Sequence, residues 1–353
     1  MFYFLKEYIA AHSQKKISYA EYMQVVLYHP IYGYYMKEKS KIGRNGDFIT
    51  TSNVSDMYGR SLAKWFFQQA KELKLPFSVC EIGAGTGRFA KAFIDEWKAI
   101  TTENLQYLIV EESPYHRKLQ QEIITFNEGI RQIESLDDVR PFEGLIFSNE
   151  LFDALPVHVI ENKNGQLMEV FITIENEELV EELTPLNNEE IIHYLEYSKL
   201  QLKNRQRIEI PLIMTTVVKE MAKVLQRGLI LTVDYGYTNE EWMEPARRNG
   251  SLRGYYKHQQ LNDILKNPGE MDLTSHVHFD SFIKIGELND LIFVQKWRQD
   301  EFLLEIGILE ELQATFDPNP FSAISKRNRA IRSLIIPGGI SSSFHVILQQ
   351  KGI

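Results

Sequence analysis

The sequence predicts an α/β protein built around a parallel sheet, and two observations carry that reading. From Phe77 onward, apolar runs of strand length alternate with segments of helical period, which is the pattern of βαβ units. The first run, Phe77-Ser78-Val79-Cys80, leads through Glu81-Ile82 into Gly83-Ala84-Gly85-Thr86-Gly87, a glycine-rich turn where a strand passes into a helix. Ligands of open parallel sheets sit outside the carboxyl ends of the strands, so this turn and the other strand ends are where chemistry is sought.

Residues 1 to about 75 read as mostly helical, broken by the loop Gly43-Arg44-Asn45-Gly46-Asp47-Phe48-Ile49-Thr50-Thr51-Ser52. Strands follow at 77–82, 105–110 and 145–148, separated by helices at 88–97 and near 115–126. Residues 157–161, 167–175 and 179–183, with the turn Asn164-Gly165, read as a small antiparallel meander, and a polar helical stretch follows them. A helix at about 212–225 and strands at 229–234, 292–295 and 344–349 resume the alternation. These boundaries give an N-terminal helical region (1–75), a core formed by 76–160 and 208–353, and an inserted α+β subdomain (161–207).

A chain of 353 residues with 44% hydrophobic content can bury a sizeable core, as one large domain with insertions or as two domains. Its formal net charge of -9 argues against a general nucleic-acid partner, because neutralising phosphates needs a basic face. The one cysteine, Cys80, sits in an apolar run and has no internal partner, so a small core residue in a reducing compartment is expected. No apolar run approaches the roughly 20 residues of a membrane span, and residues 1–22 mix Lys and Glu without a signal-peptide core, so a cytoplasmic location is expected. His158, His276 and His278 lack the spacing of a metal site, and no G-x-S-x-G elbow points to a hydrolase.

The glycines at 83, 85 and 87 alternate, whereas a dinucleotide fingerprint spaces them G-x-G-x-x-G and would need a small residue where Arg88 stands. A dehydrogenase is therefore disfavoured. A bare turn formed by Gly83, Ala84, Gly85 and Gly87 lets an adenosyl group and an amino-acid tail approach closely, and Glu81 can meet a cationic centre. That combination suggests S-adenosylmethionine, although the turn alone also fits an ordinary strand-to-helix connection. Four strand ends carry acids: Glu81, Glu111, Glu150 and Asp234. Glu111 stands where two carboxylate oxygens would accept both ribose hydroxyls; the other reading is an exposed carboxylate beside the helix start Ser113-Pro114. After the next strand, Ser148-Asn149-Glu150-Leu151-Phe152-Asp153-Ala154-Leu155-Pro156 supplies an amide and two carboxylates. Methyl transfer from a sulfonium is an in-line displacement that asks for alignment, and Glu150 and Asp153 suit a cationic acceptor such as a guanidinium. The same residues equally allow a loop in which Asp153 caps a turn and Glu150 is solvated. Asp47, with Thr50, Thr51 and Ser52, could close a lid over a positively charged cofactor.

In the order of its segments the chain resembles the MidA-like family of S-adenosylmethionine-dependent methyltransferases, which includes the mitochondrial assembly factor of respiratory complex I. The segments are His29-Pro30-Ile31-Tyr32-Gly33-Tyr34-Tyr35, GDFITTS from Gly46, EIGAGTG from Glu81, VEESP from Val110, NELFDALPVH from Asn149, VDYG from Val233, SLRGYYKH from Ser251, PGEMDLTSHVHFDSF from Pro268 and PGG near Pro337. The resemblance implies a Rossmann-like class I methyltransferase fold: a seven-stranded sheet with its last strand antiparallel, family-specific helices and an inserted substrate-facing subdomain. It implies a protein acceptor, methylated on arginine, with a respiratory-complex subunit among the candidates. It also places the cofactor on Gly83, Gly85 and Glu111, and the active site at Asp47, Asn149, Glu150 and Asp153. Relatives carry Pro-Glu after the GDF loop where this chain has Ser52-Asn53, which bears on acceptor choice and leaves the donor site alone. Tyr255, Tyr256 and His258 fit either an acceptor channel or aromatic core packing. A methyltransferase fold that serves as an assembly factor or chaperone, with client binding as its function, is the alternative.

Overall fold

The computed structural model describes residues 1–38, 56–257, 259–312, 319, 321–336, 338 and 343–353. Among these the backbone forms β1 (Ile17–Ser18), β2 (Ser78–Ile82), β3 (Gln106–Val110), β4 (Ile130–Ile133), β5 (Phe142–Asn149), β6 (His158–Lys163), β7 (Gln166–Glu175), β8 (Glu178–Pro185) and β9 (Arg207–Ile210). The remaining strands are β10 (Leu225–Tyr237), β11 (Arg253–Tyr256), β12 (Gln259–Leu261), β13 (Asp272–Thr274), β14 (Val277–His278), β15 (Ile292–Arg298) and β16 (Phe344–Lys351). The main sheet runs β15-β16-β10-β5-β2-β3-β4, with β14 added to the end of β10. Pairings β4/β3, β3/β2, β2/β5 and β5/β10 are parallel, while β16 runs antiparallel to both neighbours. The antiparallel strand is therefore the last in the chain and lies one place in from the β15 edge.

Side chains of successive strand residues point to opposite faces, and the sequence uses that period to build two cores. Val79, Tyr107, Ile109, Leu145, Phe147, Leu229 and Leu231 face the helices Met57–Glu72 and Arg88–Ile100, where Phe66, Phe93 and Trp97 are buried. Cys80, Leu108, Ile146, Ile230 and Ile347 face the helices Leu212–Val224 and Phe279–Glu287, against Met214, Met221 and Phe282. Each such side chain contributes about 1.5–3 kcal/mol on burial. Cys80 is fully buried, as expected of a core residue, and burial pushes its thiol up to about 12.

The inserted segment builds a second, antiparallel sheet of order β1-β7-β6-β9, with β8 on β7; its strands run from His158 to Ile210, a little beyond 161–207, and β1 joins from the N-terminal region. The hairpin β6–β7 turns on Asn164 and Gly165 at φ 55° and 90°, the left-handed pair that a two-residue connection requires. The first two helices, Phe2–Ala11 and Tyr19–Tyr28, pack on this sheet through Leu5, Ile9, Tyr22, Val26, Val159, Val170 and Ile172. Between them lies β1, which pairs with β7 and breaks the helical reading of that region. The short sheet β12-β11-β13 and the strands β4 and β14 were also not anticipated; each is four residues or fewer, too short for a period to show.

Candidate active site

At the carboxyl ends of β2, β3, β5 and β10 lies a cavity of about 950 Å³. One wall is the glycine turn. Gly83, Gly85 and Gly87 all have positive φ (73°, 53° and 77°), so the chain folds sharply without side chains. Glu81, Gly83, Ala84 and Gly85 line the cavity; Gly87 does not. A Cβ on Gly87 would sit 2.7 Å from Gln120 Cγ, and Gln120 in turn donates to the Gly85 carbonyl at 2.7 Å. Gly87 thus opens the helix Arg88–Ile100 and lets the helix Pro114–Ile123 close in behind the turn.

Glu111 is buried and aimed. Its Oε2 accepts the Gly85 N–H at 2.8 Å and its Oε1 accepts the Ser113 N–H at 2.9 Å, which fixes the carboxylate plane and leaves lone pairs for a diol. Ser113 caps the following helix through His116 N–H at 3.3 Å, with Pro114 in the first turn, so the helix start stands as read, while the alternative of an exposed carboxylate at Glu111 fails because the side chain is buried. Glu81 lies deeper. Burial raises its carboxyl to about 8, opposed by the Tyr107 hydroxyl, which donates at 2.7 Å, and reinforced by the charge of Glu111.

The opposite wall begins at the end of β5. Asn149 Nδ2 donates to Glu150 Oε1 at 3.1 Å, while its buried Oδ1 has no partner among the described residues. Glu150 adopts φ 51°, a left-handed conformation costing about 1–3 kcal/mol, held by its N–H bond to the Val233 carbonyl at 2.9 Å. Asp153 is buried; Tyr235 donates its hydroxyl to Oδ2, and Oδ1 has no partner among the described residues. Burial raises Asp153 to about 6. Asp234, whose Oδ2 accepts the Phe152 N–H at 2.9 Å, is raised by burial and then by Asp153, so the two carboxylates titrate as a pair.

Tyr28, Tyr35, Tyr235, Tyr255 and Asp272 complete this end of the cavity. Sequence reasoning assigned no role to four of these, Tyr28, Tyr35, Tyr235 and Asp272. The segment His29 to Tyr35 brings two of them in. His29 Nδ1 accepts the N–H groups of Ile31 and Tyr32, each at 3.2 Å, and a Cβ on Gly33 would lie 2.5 Å from His29 N. The chain therefore doubles back onto the helix Tyr19–Tyr28 through Tyr34 N–H to Val26 O and Tyr35 N–H to Leu27 O, which sets the Tyr28 and Tyr35 rings 5.4 Å apart, tilted by 33°. Tyr35 donates its hydroxyl to Asp272, and its backbone carbonyl accepts the Ser113 hydroxyl at 2.7 Å. Tyr256 packs instead with the N-terminal cluster, and His258 and Asp47, with the rest of the GDFITTS segment and Ser52-Asn53, lie outside the described residues.

Of the histidines singled out in the sequence, His276 lines the cavity and His278 is buried away from it. His276 stacks on Tyr237 at 4.4 Å and burial lowers it to about 4; His278 bonds Tyr194 at 2.9 Å and burial lowers it to about 3. Among the described residues no group of His, Cys, Asp and Glu is placed to hold a metal ion, and no helix is long and apolar enough to cross a membrane.

A parallel sheet of this order, with an antiparallel final strand inserted beside its edge, a bare turn after β2 and a fixed carboxylate after β3, defines a methyltransferase of the S-adenosylmethionine-dependent class. The chain belongs to the family of S-adenosyl-L-methionine-dependent methyltransferases whose model matches residues 61–295. It is 26% identical over 358 residues to the mitochondrial protein arginine methyltransferase NDUFAF7 of Danio rerio, covering 93% of this chain and 82% of that protein. Against the human NDUFAF7 the identity is 25%, over 85% of this chain and 72% of the other. A methyltransferase from Burkholderia thailandensis crystallised with S-adenosylhomocysteine superposes with a TM-score of 0.90 at 27% identity, covering 100% of this chain and 92% of that one.

Proposed function

We propose that the protein transfers a methyl group to a guanidinium nitrogen of an arginine side chain in a protein acceptor. The observation that carries this reading is Asp153: a buried carboxylate, on the same cavity as the glycine turn, with one oxygen engaged by Tyr235 and the other without a partner among the described residues. Such an oxygen is costly to leave unpaired and favours a cation that brings donors with it. The names of the relatives support arginine as that cation.

S-adenosylmethionine supplies a methyl group on a sulfonium. Glu111 would hold its ribose hydroxyls, the backbone of Gly83, Ala84 and Gly85 would admit its tail, and Asn149 Oδ1 and Glu81 would accept its cationic end. A guanidinium, with a pKa above about 12, keeps its proton until transfer begins. Asp153 therefore orients the acceptor nitrogen and stabilises charge, then takes the proton that methylation makes acidic. Glu150, held in its strained conformation, presents a second carboxylate beside Asn149. Tyr28, Tyr35 and Tyr235 stay protonated, since burial raises each phenol well above its ordinary value; Tyr35 and Tyr235 donate to the carboxylates of Asp272 and Asp153, and Tyr28 to the Ala154 carbonyl.

The acceptor is taken as a protein, a respiratory-complex subunit being one candidate, and the setting as cytoplasmic. The test is mass spectrometry of proteins from cells with and without the gene, scored for lost methylarginine, beside complementation with Asp153→Asn. Loss of methylarginine without rescue by the variant supports the reading. Full rescue by a folded, cofactor-binding variant overturns it in favour of a chaperone whose catalysis is dispensable.

A further inference from the structure

We infer that Tyr235 is a positioning residue whose hydroxyl sets both the direction and the ionisation of the Asp153 carboxylate; this rests on the arginine reading above. Three consecutive residues at the end of β10 grip the loop 150–153. The Val233 carbonyl accepts the Glu150 N–H at 2.9 Å, Asp234 Oδ2 accepts the N–H groups of Phe152 at 2.9 Å and Asp153 at 3.4 Å, and the Tyr235 hydroxyl donates to Asp153 Oδ2. Just after β13, the Ser275 N–H donates to the Asp153 carbonyl at 2.8 Å. The backbone contacts fix where the loop runs, and Tyr235 then engages the side chain.

Tyr235 is itself held. Its ring lies edge-on to His276 at 4.9 Å and to Phe344 at 5.3 Å, and His276 is stacked on Tyr237 at 4.4 Å. The Thr274 hydroxyl bonds the Tyr235 hydroxyl. A phenol carries one proton, so with Thr274 donating to its oxygen that proton is left for Asp153. Burial works against charge on Asp153, and the Tyr235 bond is the first of the contacts that favour it, ahead of the backbone N–H groups of Ala154 and Asp153. The titratable groups around the carboxylate are Asp234 on β10, Glu150 in the loop, Tyr28 and Tyr35 near the N-terminus, Tyr255 on β11, and Asp272 and the neutral His276 on and after β13. The charge of Arg253 bears on Tyr255 and His276, its guanidinium bonding the Leu252 and Gly250 carbonyls. A hydroxyl, and not a cation, therefore keeps Asp153 ready for a guanidinium.

The experiment follows kcat/KM against pH for methyl transfer to an arginine peptide in wild type and Tyr235→Phe, with cofactor and peptide affinities measured by calorimetry. Removing the hydroxyl is expected to move the acid limb, near pH 6 in wild type, upward by about one pH unit, a loss of about 5-fold at pH 6 that shrinks as the pH rises. The cofactor Kd should stay within about 2-fold, because Tyr235 touches the acceptor carboxylate and not Glu111. In the Asp153→Asn background Tyr235→Phe should leave peptide affinity unchanged, since the hydroxyl acts through that carboxylate. Thr274→Val, which removes the hydroxyl that orients the Tyr235 proton, should move the limb the same way by less, and it carries the test if the phenylalanine variant does not fold. A limb that stays at the wild-type pH, or a loss by the same factor at every pH, overturns the positioning role of Tyr235 alone. A wild type inactive on every arginine peptide, or an Asp153→Asn variant as active as wild type, overturns the arginine reading and this inference with it.

Discussion

Glu81→Gln tests whether the deepest carboxylate of the site is held neutral by burial. The side chain is buried, accepts the Tyr107 hydroxyl at 2.7 Å, and is raised by burial from 4.5 to about 8. A group with a raised pKa binds its proton more tightly folded than unfolded, so its contribution to stability is fully present below about pH 4.5 and is lost as pH rises toward 8. At about 1.4 kcal/mol per pH unit the whole interval, 4.5 to about 8, corresponds to on the order of 5 kcal/mol. Glutamine keeps the acceptor for Tyr107 and removes the titration. Urea unfolding of the cofactor-free protein and of the variant at a series of pH values reads the difference directly. The variant is expected to gain on wild type by about 3 kcal/mol between pH 5 and 8, and the gap should be flat above that. Stability curves that run parallel from pH 5 to 9 would refute the buried, protonated Glu81.

Three further outcomes follow from the geometry. In Glu111→Gln the amide must turn its NH₂ toward either the Gly85 or the Ser113 N–H, so calorimetry should show cofactor affinity falling at least 10-fold, and unchanged affinity would remove Glu111 from the donor site. Asp153 must be ionised to meet a cation, so kcat/KM in a methyl-transfer assay should rise with pH through about 6 in wild type and lose that limb in Asp153→Asn; a profile flat from pH 5 to 7 contradicts the role. Gly87→Ala places a Cβ 2.7 Å from Gln120 at φ 77° and should cost about 1–3 kcal/mol in urea unfolding, and a variant as stable as wild type speaks against the packing role.

The donor half of the site was legible because its signals are local. A glycine turn at the end of a strand and an acid at the end of the next lie within 31 residues, Glu81 to Glu111, and the two-residue period of the strands is uninterrupted there. The acceptor half was only partly legible, because Asp153 meets partners that are distant in the chain: Tyr235, Tyr28 through Ala154, and Ser275. The segments His29 to Tyr35 and Pro268 to Phe282 stood out as shared with a family, but nothing in their spacing reveals that Tyr35 would meet Asp272, 237 positions on. Gly87 was read with Gly83 and Gly85 as one turn, and its spacing alone gives no sign of the close approach of Gln120 that the fold adds there.

Ser113 stands at the junction of these halves. Its N–H holds Glu111, and its hydroxyl holds the backbone of Tyr35, whose own hydroxyl reaches Asp272. The carboxylate proposed to hold the donor and the aromatic wall around Tyr35 therefore draw on one residue in common. Any factor by which one ligand changes the other's affinity must be returned in full, so the order in which the two bind is a matter of kinetics and the total binding free energy is the same by either route.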